Sequence, residues 1–340
     1  MGSNFVNHKN LNALISQKAK RVLETFRIEI GSGIENPRLS DILEHVKKNA
    51  IDVYRPALIA FSCEAVGGKS DDTDIVSLMI SLAGAGIGIH DDIIDNSKTK
   101  GFKKTILGRY SLNDALLVGD LLIVKGLTAV HYLVEKGYDP KKIAEIIRIF
   151  QRHYIEICEG VFMENKWKKN VSIDIDYCHK ILWKFSSDGE ACTRLGAMLG
   201  EGNGKEVEAL AEYGRRLCYI FRLAEEVKDT LNLKGSLLRR LEYESIPIPI
   251  LFAAQVSEEN SAKIESILGK QVYPSDIEVL IELCFETNAF DYIYGIAKEK
   301  IQEGIKLLQR LKSSQSRKVL KLMINDTFPD SLTKTWKSAV

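Results

Sequence analysis

An all-α fold is predicted for this chain of 340 residues, and three observations predict it. Apolar residues recur at helical spacing almost throughout. No segment shows the alternating pattern of a half-buried strand bounded by hairpin signals. Only seven prolines punctuate the chain, and they fall mainly between the helical runs. At 45% hydrophobic and 27% charged residues, the chain has enough apolar surface for a sizeable core.

The helical runs are Leu11–Ile28, Ile75–Ile94, Leu112–Val134, Pro140–Glu164, Ile173–Leu199, Lys205–Leu231 and Ile277–Leu311. Pro56 and Pro140 suit the first turn of a helix, where a missing N–H costs nothing. Pro247 and Pro249 place an irregular helix start inside the apolar stretch Ile246–Ala254. Gly202–Gly204 and Lys234–Ser236 read as interhelical turns. With no internal repeat and no Gly/Ser linker, residues 1–340 read as a single domain of ten or more helices.

A net charge of +1 provides no electrostatic basis for a nucleic-acid partner. Six cysteines are scattered without Cys-x-x-Cys or zinc spacing, which predicts reduced core residues of a cytoplasmic protein. Met1–Lys20 lacks the apolar segment of a secretory signal, and Val6 breaks the myristoylation pattern. The longest apolar run, Ile75–Ile89, reads as too short to span a bilayer. The basic stretch Lys298–Lys321 reads as a solvated terminal helix, with peripheral contact to an anionic membrane as the alternative.

The most informative feature is Asp91-Asp92-Ile93-Ile94-Asp95 at the end of the apolar run. The spacing alone is common in a chain with 46 acidic residues; its placement is what matters. Carboxylates emerging from a buried helix repel one another and lose hydration unless something compensates. Asp91 and Asp95, at i and i+4, share a helix face, with Asp92 beside them. A hard divalent cation is the natural compensation, and Mg²⁺ held by one or two carboxylates usually serves a phosphate-bearing substrate. A second acidic segment, Phe221–Asp229, repeats the spacing with Glu225, Glu226 and Asp229.

With these motifs the chain resembles the trans-isoprenyl diphosphate synthases, the polyprenyl synthetase family, over roughly residues 45 to 255. Arg55-Pro56, His90–Asp95, Ala115–Asp120, Glu159-Gly160, Lys184, Gly196-Ala197 and Phe221–Asp229 carry the resemblance. It implies an isoprenoid-synthase-type helical bundle around a central cavity, working as a homodimer. It implies two or three Mg²⁺ ions held by Asp91, Asp95, Glu225, Glu226 and Asp229, with Asp92 completing the first motif. Lys100 and Lys184 then bind the diphosphate of an allylic prenyl substrate, and Arg55 is the remaining diphosphate-binding residue, alone on the acceptor side. Asp91, Asp92, Asp95 and Lys184 become the catalytic set, which stabilises the leaving group as the allylic carbon ionises.

The chain departs from the family where isopentenyl diphosphate is held. Aligned without gaps, Ala50–Pro56 replaces Gly-Gly-Lys-Arg-x-Arg-Pro, so Asp52 stands for a lysine and Val53 for an arginine. Gly101 stands for a second arginine and Leu107 for a histidine. Each lost charge-assisted contact forfeits about 1.5–3 kcal/mol, so the expected acceptor is one other than isopentenyl diphosphate, its identity unknown. Glu225 and Glu226 also replace aspartates, and Arg222 and Val161 replace glutamines. Alternative readings are a chain-elongating synthase, a terpene cyclase and a non-catalytic subunit regulating a synthase. The family's tail pocket is floored from the first acidic helix; here that gives Ala83, Gly86 and Ile87, small enough to predict a tail of about C20 or more.

Overall fold

The computed structural model describes residues 8–49, 52–101, 103–329 and 332–334. The readings made on Met1–Val6, Ala50 and Ile51 lie outside the described residues. The protein is almost entirely helical. It forms two compact units, each built from three chain segments: Met1–Gln151, Ala191–Ala211 and Arg310–Leu322 in the first, Arg152–Glu190, Glu212–Gln309 and Met323–Val340 in the second. Each unit draws on stretches far apart in the sequence.

The chain opens with α1 (His8–Glu29), α2 (Pro37–Asn49) and α3 (Tyr54–Ala65), followed by a 3-10 turn and α4 (Asp74–Ile94). A hairpin, β1 (Thr99–Lys100) and β2 (Lys103–Lys104), leads to α5 (Ile106–Arg109), α6 (Leu112–Thr128), α7 (His131–Glu135) and α8 (Pro140–Glu164). The hairpin escaped the sequence reading because two residues per strand are too few to show alternation. Then come α9 (Ile175–Phe185), α10 (Ser187–Leu199), α11 (Gly204–Thr230), α12 (Leu237–Tyr243), α13 (Ile248–Gln255), α14 (Glu258–Leu268), α15 (Pro274–Glu286), α16 (Ala289–Leu308) and α17 (Gln315–Asp326). Three predicted runs are broken: at 129–130, at Ser186, and at Asn288, whose φ of 56° is left-handed. Apolar spacing continues across these joints, so periodicity could not reveal them.

In the first unit α4 is the central element and packs along α6, α1 and α3. Its core includes Phe26, Ile42, Val46, Leu78, Leu82, Ile89, Ala115, Val118 and Leu122. The α4–α6 contact is backbone on backbone. A Cβ on Gly86 would lie 2.5 Å from the Gly119 carbonyl oxygen, and one on Gly126 would lie 2.7 Å from the Met79 carbonyl oxygen and the Ala83 amide. Such separations are possible only without side chains, as in any close helix crossing. α6 starts on a capping box: Ser111 Oγ accepts from the Asp114 amide while the Asp114 carboxylate accepts from the Ser111 amide.

In the second unit α13 is buried along nearly its whole length and packs against α9, α14, α15 and α16. All six cysteines are thiols rather than disulfides, and four are buried; burial pushes the Cys63 and Cys178 thiols up to about 12. By length and composition alone, the stretches Ser70–Ile94 and Leu112–Glu135 are each long enough to cross a membrane, which corrects the expectation drawn from the shorter run Ile75–Ile89. Burial separates them: 61% of the apolar window in the first lies inside the protein, against 33% in the second.

Candidate active site

The first acidic motif is shaped by how α4 ends. Asp95 caps the helix, and Asn96 takes a left-handed φ of 49°. The Ser97 amide then donates to the Asp92 carbonyl (2.7 Å) and the Asn96 amide to the Ile93 carbonyl (3.2 Å). This Schellman arrangement satisfies the last carbonyls and turns the chain into the hairpin. Thr105 closes the loop from the other side, donating its hydroxyl to the Ser97 carbonyl (2.7 Å) and its amide to the Lys98 carbonyl (3.0 Å). The turn therefore sets Lys100 beside the motif, where its ammonium pairs with buried Asp92 at 2.8 Å.

Three carboxylates thus stand at the negative end of a helix dipole, with no basic residue in the last turn. The chain answers Asp92 with Lys100. Asp91 is exposed and Asp95 half-buried, one turn apart. A hard cation with oxygen ligands fits that pair. Among the described residues no group of three or more ligating side chains is preassembled for a metal. Mg²⁺ held by one or two carboxylates would keep several waters and complete its shell from substrate phosphates.

Beside the motif lies a cavity of about 350 Å³ within the first unit. Its apolar wall is Leu23, Phe26, Val46, Ile89 and Ile106; its α4 wall is Ser81, Gly84, Ala85, Gly88 and Asp92. Arg55, Lys100, Lys103 and Lys104 also line it, with Asp52, His45 and Asn49. Asp52, which stands where the family has lysine, accepts from the Tyr54 and Arg55 amides at the start of α3 and pairs with the Arg55 guanidinium at 2.8 Å. The Arg55 and Lys100 charges are thereby matched, which leaves Lys103 and Lys104 as the surplus cations of the cavity. His45 fastens their strand. Arg109 can only donate, so His45 Nδ1 accepts from it (3.3 Å) and Nε2–H donates to the Lys104 carbonyl (2.8 Å).

Two expectations are corrected here. Asp52, Val53, Gly101 and Leu107 were expected to offer an acceptor's diphosphate no positive charge, leaving Arg55 alone; Lys103 and Lys104 add positive charge to the cavity beside the first motif. Gap-free alignment compared Gly101 and Leu107 with single family positions and did not count lysines two or three residues away. A Lys-rich run directly after the acidic motif was the available signal. The predicted tail-pocket residues Ala83 and Gly86 lie against α6, and Ile87 is half-buried. The face of α4 toward the cavity is Ser81, Gly84, Ala85 and Gly88, and a Cβ on Gly88 would meet nothing within 4 Å.

The second acidic motif lies in the second unit near the end of α11. Glu225 sits between Lys228 (2.8 Å) and Lys234 (2.9 Å). Glu226, 5% exposed, accepts from Arg240 (2.5 Å) and from the Ile248 amide (2.8 Å). Asp229 accepts from Arg240 at 2.7 Å. The metal role predicted for these three does not fit this arrangement, because their oxygens already accept from the chain's own cations. Burial opposes the Arg240 charge, but Glu226 and Asp229 outweigh it and hold its pKa above the usual arginine range. Lys184, at the end of α9, pairs with Glu159 at 2.6 Å, so two family landmarks meet. Arg222 stacks on Phe185, 4.9 Å from its ring centre.

The first unit thus sets an acidic helix end beside a basic, partly apolar cavity in an almost wholly helical frame. Residues 36–284 match the polyprenyl synthetase family model, and the chain belongs to that family and is a prenyltransferase. It is 26% identical over 286 residues to the short chain isoprenyl diphosphate synthase of Methanothermobacter thermautotrophicus, covering 82% of this chain and 86% of that one. It is likewise 26% identical over 275 residues to the geranylgeranyl diphosphate synthase of Methanosarcina mazei, covering 78% and 82%. Among solved structures, geranylgeranyl pyrophosphate synthetase from Pyrococcus horikoshii superposes with a TM-score of 0.85 at 26% identity, covering 94% of this chain and 98% of that one.

Proposed function

We propose that the chain ionises an allylic prenyl diphosphate, with Mg²⁺ held by Asp91 and Asp95, and transfers the prenyl group to an acceptor with an anionic head group. The surplus of Lys103 and Lys104 in the cavity beside Asp92 carries this reading. The allylic C–O bond breaks and its electron pair leaves on the diphosphate. The acceptor's electron pair closes on the cation, and the adduct then loses a proton. Mg²⁺ stabilises the departing charge when bound. Lys100, now on Asp92, is the side chain that would turn to the diphosphate.

Isopentenyl diphosphate fits such a cavity and matches the names of the relatives. A second reading, an acceptor other than isopentenyl diphosphate, draws on Asp52 neutralising Arg55 and on Gly101 and Leu107. Calorimetry with isopentenyl diphosphate separates the two. Micromolar binding is expected, weakened roughly ten- to a hundredfold by each of Lys103→Ala and Lys104→Ala, since a charge-assisted contact is worth about 1.5–3 kcal/mol. No saturable binding at millimolar concentration would return the acceptor to the second reading.

The tail is proposed to pass over Ser81, Gly84, Ala85 and Gly88, whose small side chains support a long substrate. α6 leaves Leu116, Leu117, Val124 and Leu127 exposed on the helix surface, and a second copy of the chain is proposed to cover them. Six cysteines held as thiols suit the reducing cytoplasm proposed for it.

A further inference from the structure

The second acidic segment is closed by its own chain. Glu225, Glu226 and Asp229 bring three negative charges, and Lys228, Lys234 and Arg240 bring three positive ones. Arg240 is the centre of the cluster and is 6% exposed. Its Nη2 donates to Glu226, its Nη1 to Asp229 and its Nε to the Ser245 carbonyl (3.2 Å). The other Glu226 oxygen takes the Ile248 amide at the first turn of α13, where a helix dipole favours an anion. Five of the six carboxylate oxygens accept at 2.5–2.9 Å, and the sixth lies 3.5 Å from Ser236 Oγ.

A divalent ion entering this cluster would have to displace a planar guanidinium from two carboxylates at once. That would strand a buried Arg240 without a counter-charge, an outcome strongly disfavoured in a protein interior.

We infer that Arg240, with Lys228 and Lys234, is a built-in cation that replaces divalent metal at the second acidic segment, so that metal binding by this chain rests on Asp91 and Asp95. Arg240 is a positioning residue: it fixes the end of α11 against α13 without touching substrate. The inference rests on the proposed Mg²⁺ site only for its second clause.

Titration of the whole protein with Mn²⁺, read by electron paramagnetic resonance, tests it. Glu225→Gln/Asp229→Asn is expected to keep the wild-type stoichiometry and an affinity within twofold. Loss of a bound equivalent there overturns the inference. Asp91→Asn/Asp95→Asn is expected to lose saturable binding, and a wild-type titration from that variant would instead overturn the proposed metal site. Arg240→Gln should lower Tm, with millimolar Mg²⁺ restoring part of the loss in this variant and raising the wild type little. Arg240→Lys should retain most of the stability. If Arg240→Gln melts as the wild type does, Arg240 is not the cation of this cluster and the inference falls. Should Arg240→Gln fail to fold, the Glu225→Gln/Asp229→Asn titration alone decides.

Discussion

At the scale of single residues, the chain supplies some of its acids with cations of its own, and others with hydrogen bonds as well. Asp114 belongs to the second kind. Hydrogen bonds from Arg38 and Ser111 hold its carboxyl at about 2, below the ordinary 3.8. A carboxylate depressed in the folded state contributes stability above its unfolded pKa and loses it as pH falls toward the folded value. The Tm difference between wild type and Asp114→Asn should therefore be flat above pH 5 and vanish toward pH 2. Ser111→Ala, which removes the cap itself, should cost about 1 kcal/mol with little pH dependence across the neutral range. The sequence made Asp91, Asp92 and Asp95 legible because their placement after an apolar run has few physical resolutions. It could not show that Glu226 and Asp229 are satisfied. Their partners, Arg240 and the Ile248 amide, lie 11 to 22 positions downstream and meet them only when α12 and α13 fold back.

At the scale of elements, α4 shows where pattern reading ends. Its helical period is plain, but the helix is apolar almost all round and has no polar face to orient it. Small residues occupy two faces for two reasons. Ala83 and Gly86 let α6 approach, while Ser81, Gly84, Ala85 and Gly88 border the cavity. Gly86→Phe should therefore lower Tm severely, beyond the 1–3 kcal/mol typical of overpacking, since its Cβ would meet backbone rather than a movable side chain. Gly88→Phe should melt within a few degrees of wild type yet discriminate against longer allylic substrates. Turnover on C10 and C20 diphosphates, measured beside melting curves, checks both. Equal loss on the two substrates in Gly88→Phe would remove the cavity face from the tail's path.

At the scale of the whole molecule, the family and the all-α fold were legible because several motifs keep their order and spacing over two hundred residues. The division into interleaved units was not, since each unit draws on segments far apart in the chain. The charge of the cavity was hidden for a related reason: it is a sum over α2, α3, α4 and the hairpin, which no single aligned position reports. Exposed leucines on α6 supply a prediction at this scale. Leu117→Asp/Val124→Asp should convert a dimer to a monomer in light scattering after size exclusion, with the helical circular dichroism retained. A wild type that is already monomeric at micromolar concentration would remove the homodimer proposal.

The charge pairs around the two acidic segments also bear on the order in which the chain folds. Lys100 is 8 positions from Asp92, and Arg240 is 14 from Glu226 and 11 from Asp229. By contrast, Ser316 reaches Glu64 across 252 positions. Each doubling of a closed loop adds about 0.6 kcal/mol of entropy cost, so the distant contact is disfavoured by roughly 2.5 kcal/mol relative to the Arg240–Glu226 pair before either is formed. The acids that most need neutralising are thus matched by near neighbours in the chain. Their repulsion is quenched early, while the contacts that join remote segments still have to find one another.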